Sequence, residues 1–496
     1  MRSTPCILAI DEGTTGVTAL MVAADGSIAG RGYREIAQHF PRPGWVEHDP
    51  MDILDRSLEA AREAVAHAAR PPVAIGITNQ RETVVLWDRA SGTPVANAIV
   101  WQDRRTAARC AELAPKGAEI SARTGLVLDP YFSATKLEWL LRQRDVGERA
   151  ARGELAFGTV DAWLLWKLTG GKTHATDHTN ASRTMLYDIG ARAWSPELCA
   201  LFGVPASLLP EVRASAGDFG AADGALLGAP GRIPIRGVAG DQQAALFGQG
   251  CWRAGEGKNT YGTGAFLLLN TGNTRPDSRG LLATIACDAS GAPAFALEAS
   301  IFIAGAAVQW LRDGLGIVGK ASETEAMARS LDSNDGVYFV PALVGLGAPH
   351  WEPGARGTIV GLTRGTTRAH LVRAALEAMA FGTADVVGVM QERSGVPFRM
   401  LRVDGGVAAN AWLMQFQADV LGVPVERPDI VETTGLGAAG LAGIAAGVWP
   451  DANAFLATRR FERFEPAARS DAAGDARAGW ARAVRATLAW ARDRGT

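Results

Sequence analysis

Asp11-Glu12-Gly13-Thr14-Thr15-Gly16 and Asn259-Thr260-Tyr261-Gly262-Thr263-Gly264 stand half a chain apart, and each runs into an apolar stretch. The first follows Cys6-Ile7-Leu8-Ala9-Ile10 and leads into Val17 to Val22; the second leads into Ala265 to Gly272. Both patterns predict a buried strand, a turn of Gly and Thr, and a returning strand. Glycines let backbone N–H groups approach an anion, and threonine hydroxyls add donors without adding charge. An Asp at the strand end supplies a hard oxygen ligand for Mg²⁺. Either turn alone is equally an ordinary tight hairpin; the pairing favours two lobes of like build that grip phosphates.

The chain is 496 residues long, beyond the roughly 250–300 residues at which single cores stop growing. Two α/β domains are expected, 1–250 and 251–496, with the glycine-rich stretch from Gly248 to Lys258 as the boundary. Hydrophobic residues make up 47%, charged residues 21%, and the net charge is −2, which offers no case for nucleic acid or another polyanion. Cys6, Cys110, Cys199, Cys251 and Cys287 are scattered without a C-x-x-C. That pattern points to core thiols in a reducing compartment and away from zinc or disulfides. Only Cys6 to Ile10 is continuously apolar near the start, and no stretch has the length and apolarity of a membrane span. A cytoplasmic protein is expected.

Met51 to Ala69 predicts a helix, and Val73 to Thr78 and Thr83 to Trp87 predict strands on either side of Asn79-Gln80-Arg81-Glu82. A second strand-and-helix set is expected from near Gly255 to about Gly447, and Ala454 to Thr496, with Trp480 and Trp490, as a peripheral C-terminal helix. Three motifs are decoys. Gly170-Gly171-Lys172-Thr173 lacks the earlier glycine of a phosphate loop, since position 166 is Trp. Gly435-Leu436-Gly437-Ala438-Ala439-Gly440 follows Thr433-Thr434 and no strand, so it is expected to be a threonine-capped helix whose small residues permit close packing. His174 and His178 are spaced i,i+4 among Gly and Thr, outside any H-E-x-x-H helix, and are expected at the surface or in loops.

Other constellations carry more chemistry. Asp241-Gln242-Gln243 follows the Gly-punctuated run from Gly237 to Gly240, where an Asp displayed at a strand end can accept a proton from an alcohol. The same Asp is also suited to capping a following helix. Arg81-Glu82 offers donors and acceptors matched to a vicinal polyol, although such a dipeptide is also a common surface ion pair. Leu401 to Asn410 reads as a strand, a Gly-Gly turn and a helix start, which lets a flat ring or ribose lie against bare backbone.

These segments together resemble the glycerol kinases of the FGGY carbohydrate kinase family. The similarity is carried by Ala9 to Thr15, Pro43 to Pro50, Gly76 to Thr83, Ala98 to Gln102, Gly240 to Gly248, Asn259 to Gly264 and Arg402 to Gly406. Tyr131 to Trp139 and Gly357 to Glu377 are similar to the segments that mark the wider family, and the match runs to about Pro450. The resemblance implies two actin-like, ribonuclease H-like ATPase domains with an interdomain cleft, a homodimer or homotetramer, and phosphorylation of glycerol to sn-glycerol 3-phosphate using ATP and Mg²⁺. A kinase for another small polyol or sugar, and a non-kinase actin-like ATPase, are the alternatives. By the same resemblance Arg81, Glu82, Tyr131, Asp241 and Gln242 hydrogen-bond the polyol, Trp101 and Phe266 wall its carbon chain, and Asp241 is the general base. Thr14, Thr15, Thr263, Gly305, Gln309, Gly406 and Asn410 match ATP-contacting positions, and Asp11 matches the Mg²⁺ position. In-line phosphoryl transfer then needs little beyond positioning and charge stabilisation.

Where the best-known glycerol kinases carry Gln directly after the first Asp and Arg a little further along the same loop, this chain has Glu12 and Thr18. These changes put an extra carboxylate next to Asp11 and remove a phosphate-directed cation, so weaker phosphate binding or altered metal dependence is expected. Pro230-Gly231-Arg232 only partly matches the inhibitory sugar-bisphosphate loop of some bacterial relatives, and Asp218-Phe219-Gly220 holds no phosphorylatable His. Thr18→Arg is expected to lower the KM for ATP in steady-state kinetics; an unchanged or raised value refutes the missing-cation account.

Overall fold

The computed structural model describes residues 4–467 and 471–493, except for the side chains of 471–474. Two compact units divide the chain. The first comprises Met1–Trp252, Ala283–Ala296 and Glu432–Arg459, and the second Arg253–Leu282, Leu297–Val431 and Arg460–Thr496. Two later stretches thus return to the first unit, where an uninterrupted division at 250 was expected.

In the first unit, β1 (Cys6–Glu12), β2 (Gly16–Ala23), β3 (Ile28–Glu35), β4 (Ala74–Asn79), β5 (Ala221–Asp223) and β6 (Arg232–Gly240) form one sheet in the order β5-β6-β4-β1-β2-β3. β1 is antiparallel to β2, with Asp11 opposite Thr18, and parallel to β4. β4 is in turn parallel to β6. The near-continuous burial of β1 reflects cover on both faces of the sheet, which selects an unbroken apolar run over an alternating one. On one face lie the helix Pro50–Ala68 and Val160–Leu168, whose Trp163 packs 5.5 Å from Trp87. The helix Pro50–Ala68 matches its sequence expectation because both ends are encoded locally. Asp49 accepts from Met51 N at 2.8 Å, Pro50 opens the first turn, and Ala69 ends the helix at φ 52°.

The helix Thr433–Ala445 packs against the same sheet through the Gly435-to-Gly440 motif. A Cβ on Gly76 would collide with the Ala438 carbonyl, one on Gly437 with the Ala244 carbonyl, and one on Gly237 would lie 2.7 Å from Ala442 N. The motif is therefore a packing surface, as its setting predicts. The expected threonine cap is a correction: Glu432 is the N-cap, and Thr433 and Thr434 lie inside the first turn.

In the second unit, β7 (Glu256–Tyr261), β8 (Ala265–Gly272), β9 (Met400–Asp404), β10 (Val425–Pro428) and β11 (Phe461–Phe464) lie side by side in the order β8-β7-β9-β10-β11. β7 is antiparallel to β8 and parallel to β9, which is parallel to β10. The run β8-β7-β9-β10 repeats the pairing senses of β2-β1-β4-β6, so the duplication read from two turns extends to the topology around them.

The C-terminal stretch differs from the single peripheral helix expected. Ala452–Leu456 is a short helix, Phe461–Phe464 is the strand β11, and the long helix is Asp471–Arg492. Residues 468–470 and 494–496 lie outside the described residues. Trp480 is buried, stacks on Phe381 at 5.5 Å and donates from Nε1 to Asp385 Oδ2 at 2.7 Å, whereas Trp490 is exposed. Of the histidine pair, His174 lies in a loop, as expected, whereas His178 opens the short helix His178–Ala181, and both are half-buried. His174 Nε2 bonds the Phe157 carbonyl at 2.8 Å, and His178 Nδ1 bonds the Tyr187 hydroxyl at 2.5 Å. All five cysteines are buried free thiols, as expected.

Gly437→Ala is expected to destabilise the protein by at least about 1–3 kcal/mol, the usual cost of forcing an extra group into a packed core. A urea midpoint unchanged from wild type would remove this contact as a packing determinant.

Candidate functional site

β4 and β6 run parallel with Gly240 beside Asn79, so the residues that follow each strand emerge at the same edge of the sheet. Arg81-Glu82 follows β4, and Asp241 begins the helix Asp241–Gly248 directly after β6. Arg81 Nε stands 3.1 Å from Asp241 Oδ1, and its Nη1 donates to Gln243 Oε1 at 3.2 Å. A Cβ on Gly240 would fall 2.7 Å from Arg81 Cδ, so glycine there lets the guanidinium stem pass. Asp241 Oδ1 also accepts from Gln242 N at 2.6 Å. Asp241 is the first helical residue and Gly240 the N-cap, so its carboxylate both engages the helix start and keeps 32% exposure.

Glu82 is almost fully buried and has φ 66°, an unusual conformation for a non-glycine residue. Arg183 Nε donates to Glu82 Oε1 at 2.6 Å, and Ser133 Oγ donates to the Glu82 carbonyl at 2.9 Å. The same Arg183 guanidinium lies 5.8 Å from the Tyr131 ring centre and 5.3 Å from that of Phe132. The backbone of Tyr131 is held by N–H donation to Asp129 Oδ1 at 2.8 Å and by Lys136 Nζ, which donates to its carbonyl at 2.6 Å. Burial pushes the Lys136 ammonium down to about 7. Trp101 meets Tyr131 edge to face, ring centres 5.5 Å apart. The structure thus brings Arg81, Glu82, Trp101, Tyr131, Asp241 and Gln242 into the first unit, whereas Phe266 lies on β8 of the second, 36% exposed.

The support of this edge was missed in the sequence. Asp177 accepts from Thr179 N and Asn180 N, each at 3.0 Å, and from Ser215 Oγ at 2.7 Å. Thr179 Oγ1 accepts from Gly240 N at 2.8 Å, while Asn180 and Asn79 exchange amide hydrogen bonds of 3.1 Å. The strand ends bearing Arg81 and Asp241 are therefore tied to one short polar helix, His178–Ala181. Its only sequence signal is the polar run Thr176 to Arg183, which includes His178.

In the turn between β1 and β2, Gly13 N donates to Gly16 O at 3.0 Å, Thr14 Oγ1 accepts from Trp101 Nε1 at 2.8 Å, and Thr15 is exposed. Burial and then the charge of Asp241 push the Asp11 carboxyl up to about 7, an excess of negative character that a divalent cation at Asp11 would relieve. Glu12, next to Asp11 in β1, is fully buried, with Oε1 accepting from Gln80 Nε2 at 3.0 Å. Burial holds its carboxyl well above the usual carboxylate range.

In the second unit, Thr263, Gly305, Gln309, Gly406 and Asn410 line one cavity of about 630 Å³, a size suited to a small organic ligand. The turn between β7 and β8 is closed by Gly262 N donating to Gly264 O at 2.8 Å, and a Cβ on Gly305 would lie 2.6 Å from Gly262 O. At the far wall Asn410 Oδ1 accepts from Leu413 N at 2.9 Å and its amide donates to Thr324 Oγ1 at 3.3 Å.

The N-terminal domain model of the FGGY family of carbohydrate kinases matches residues 6–248, and the C-terminal domain model matches residues 257–446. A glycerol kinase of Rhodospirillum centenum is 55% identical, covering 99% of this chain and 100% of that protein. One from Carboxydothermus hydrogenoformans is 53% identical over 98% of each. The crystal structure of Plasmodium falciparum glycerol kinase with ADP superposes with a TM-score of 0.93 at 35% identity, covering 98% of both chains.

Arg183→Met is expected to cost roughly 3–5 kcal/mol, because it leaves the buried Glu82 carboxylate without its 2.6 Å partner. Urea unfolding checks this, and a loss below about 1 kcal/mol contradicts the pairing's role.

Proposed function

This chain belongs to the FGGY family of carbohydrate kinases, in its glycerol kinase group, and on that premise we propose that it transfers the γ-phosphoryl group of ATP to a terminal hydroxyl of glycerol, giving sn-glycerol 3-phosphate. The observation that carries the reading is the Arg81 and Asp241 pair at 3.1 Å, with Glu82, Tyr131 and Trp101 around it. Arg81 donates and Glu82 accepts, as two neighbouring hydroxyls require. The indole of Trp101 offers an apolar surface to the carbon chain, and Phe266 is the candidate for a second.

Asp241, the one of these carboxylates that remains open to a ligand, accepts the hydroxyl proton. The alkoxide oxygen bonds to the γ-phosphorus as the bond to the β,γ-bridging oxygen breaks, and ADP leaves. Thr14 and Thr15 donate to the phosphates, and the cavity bearing Thr263, Gly305, Gln309, Gly406 and Asn410 takes the rest of the nucleotide. Mg²⁺ held at Asp11 supplies positive charge against the phosphate oxygens when bound. Buried free cysteines suit the reducing cytoplasm, no described helix is long and apolar enough to cross a membrane, and a homodimer or homotetramer is carried over from the resemblance.

A coupled assay of the purified chain with ATP, Mg²⁺ and a panel of polyols tests the assignment, with glycerol expected to have the highest kcat/KM. Preference for a longer polyol would move the protein to another substrate, and turnover of ATP without any polyol dependence would make it an ATPase. Asp241→Asn is expected to lower kcat by about 10²–10⁴-fold while nucleotide affinity persists; near-normal turnover would exclude Asp241 as the base.

A further inference from the structure

Trp101 carries hydrogen bonds that its role as a wall does not require. Its indole N–H donates to Thr14 Oγ1 at 2.8 Å while its ring stands edge to face with Tyr131. An indole nitrogen donates only, and a threonine hydroxyl has one hydrogen and two lone pairs. Thr14 therefore accepts from Trp101, and its own O–H has no acceptor among the described residues.

The indole is itself held from behind. Trp101 N donates to Thr83 Oγ1 at 3.3 Å, Thr83 Oγ1 donates to Gln80 Oε1 at 2.9 Å, and Gln80 Nε2 donates to Glu12 Oε1 at 3.0 Å. Gln80 N also donates to the Glu12 carbonyl at 2.6 Å. Glu12 precedes Thr14 by two residues in the chain, so these bonds close a ring through Glu12, Gln80, Thr83, Trp101 and Thr14. Glu12, Gln80 and Thr83 are buried, which shields the ring from exchange with water.

We propose that Trp101 is a positioning residue for the phosphoryl donor: its indole N–H commits the Thr14 oxygen as an acceptor and so leaves the Thr14 O–H to donate to a nucleotide phosphate. The polyol that packs on the indole then stiffens the group that grips the phosphate, and the two substrates are coupled through one side chain. This rests on the reading of Thr14 as a phosphate contact.

Trp101→Phe keeps an aromatic wall and deletes the N–H. The KM for ATP and the Kd of a non-hydrolysable ATP analogue are expected to rise on the order of five- to tenfold, as for one lost hydrogen bond, and by a larger factor than the KM for glycerol. Thr14→Val should weaken the analogue similarly, and the double variant should be no weaker than Thr14→Val alone. A raised glycerol KM with unchanged analogue affinity in Trp101→Phe, or fully additive losses in the double variant, would overturn the proposal. If Thr14→Val weakens the analogue and Trp101→Phe does not, the coupling fails and the phosphate contact stands. If Thr14→Val leaves analogue affinity unchanged, the phosphate contact itself fails.

Discussion

Backbone meets backbone where the helix Thr433–Ala445 crosses the strands β4 and β6, and the geometry of the first unit's site depends on that approach. Gly76 and Gly237 on the strands face Ala438 and Ala442 on the helix, and Gly437 faces Ala244 on the helix that starts at Asp241. Side chains at these positions would hold the layers apart and move the strand ends that carry Arg81 and Asp241. Close packing of this kind has little slack, because interiors are filled to the density of organic crystals. The 3.1 Å separation of Arg81 and Asp241 is thus set by residues that carry no chemistry of their own.

Around that edge the chain buries charge deliberately. Arg81, Glu82 and Arg183 are all nearly inaccessible, a costly arrangement unless each group is paired and hydrogen-bonded. Their partners are in place: Arg183 on Glu82, and Arg81 on Asp241 and Gln243. Such a network is weak evidence for stability but fixes donors and acceptors in space, so that little reorganisation is left for the bound substrate. Asp241 keeps an open side at its helix start, as its proposed role as proton acceptor requires. Glu12 shows the opposite treatment, a carboxyl sealed against Gln80 and pushed well above the usual carboxylate range by burial.

Much of this was legible because it is written locally. The two turns share composition and flanks, and their likeness extends to the order and sense of the strands around them. The helix Pro50–Ala68 has its cap, its proline and its last turn in contiguous sequence. The five positions in the second unit that the resemblance assigns to a nucleotide line one cavity. Arg183 was not legible, because the carboxylate it holds is 101 residues away. Nor was the role of Trp480, whose partners Phe381 and Asp385 lie on another helix. Nor was the full burial of Glu12, whose partner Gln80 is 68 residues away.

The sequence by itself determined the duplicated strand-turn-strand units, the residue types displayed at strand ends, and a family resemblance specific enough to name candidate contacts. These follow from short-range rules, namely strand periodicity, turn chemistry and helix capping. Tertiary structure alone decided which polar residues support them: the helix His178–Ala181 bracing β4 and β6, Arg183 under Glu82 and Tyr131, and Trp101 bonded to Thr14. Those choices arise where segments distant in sequence meet, and the hydrogen-bond partner a buried side chain takes is fixed only by what packing brings within about 3 Å of it.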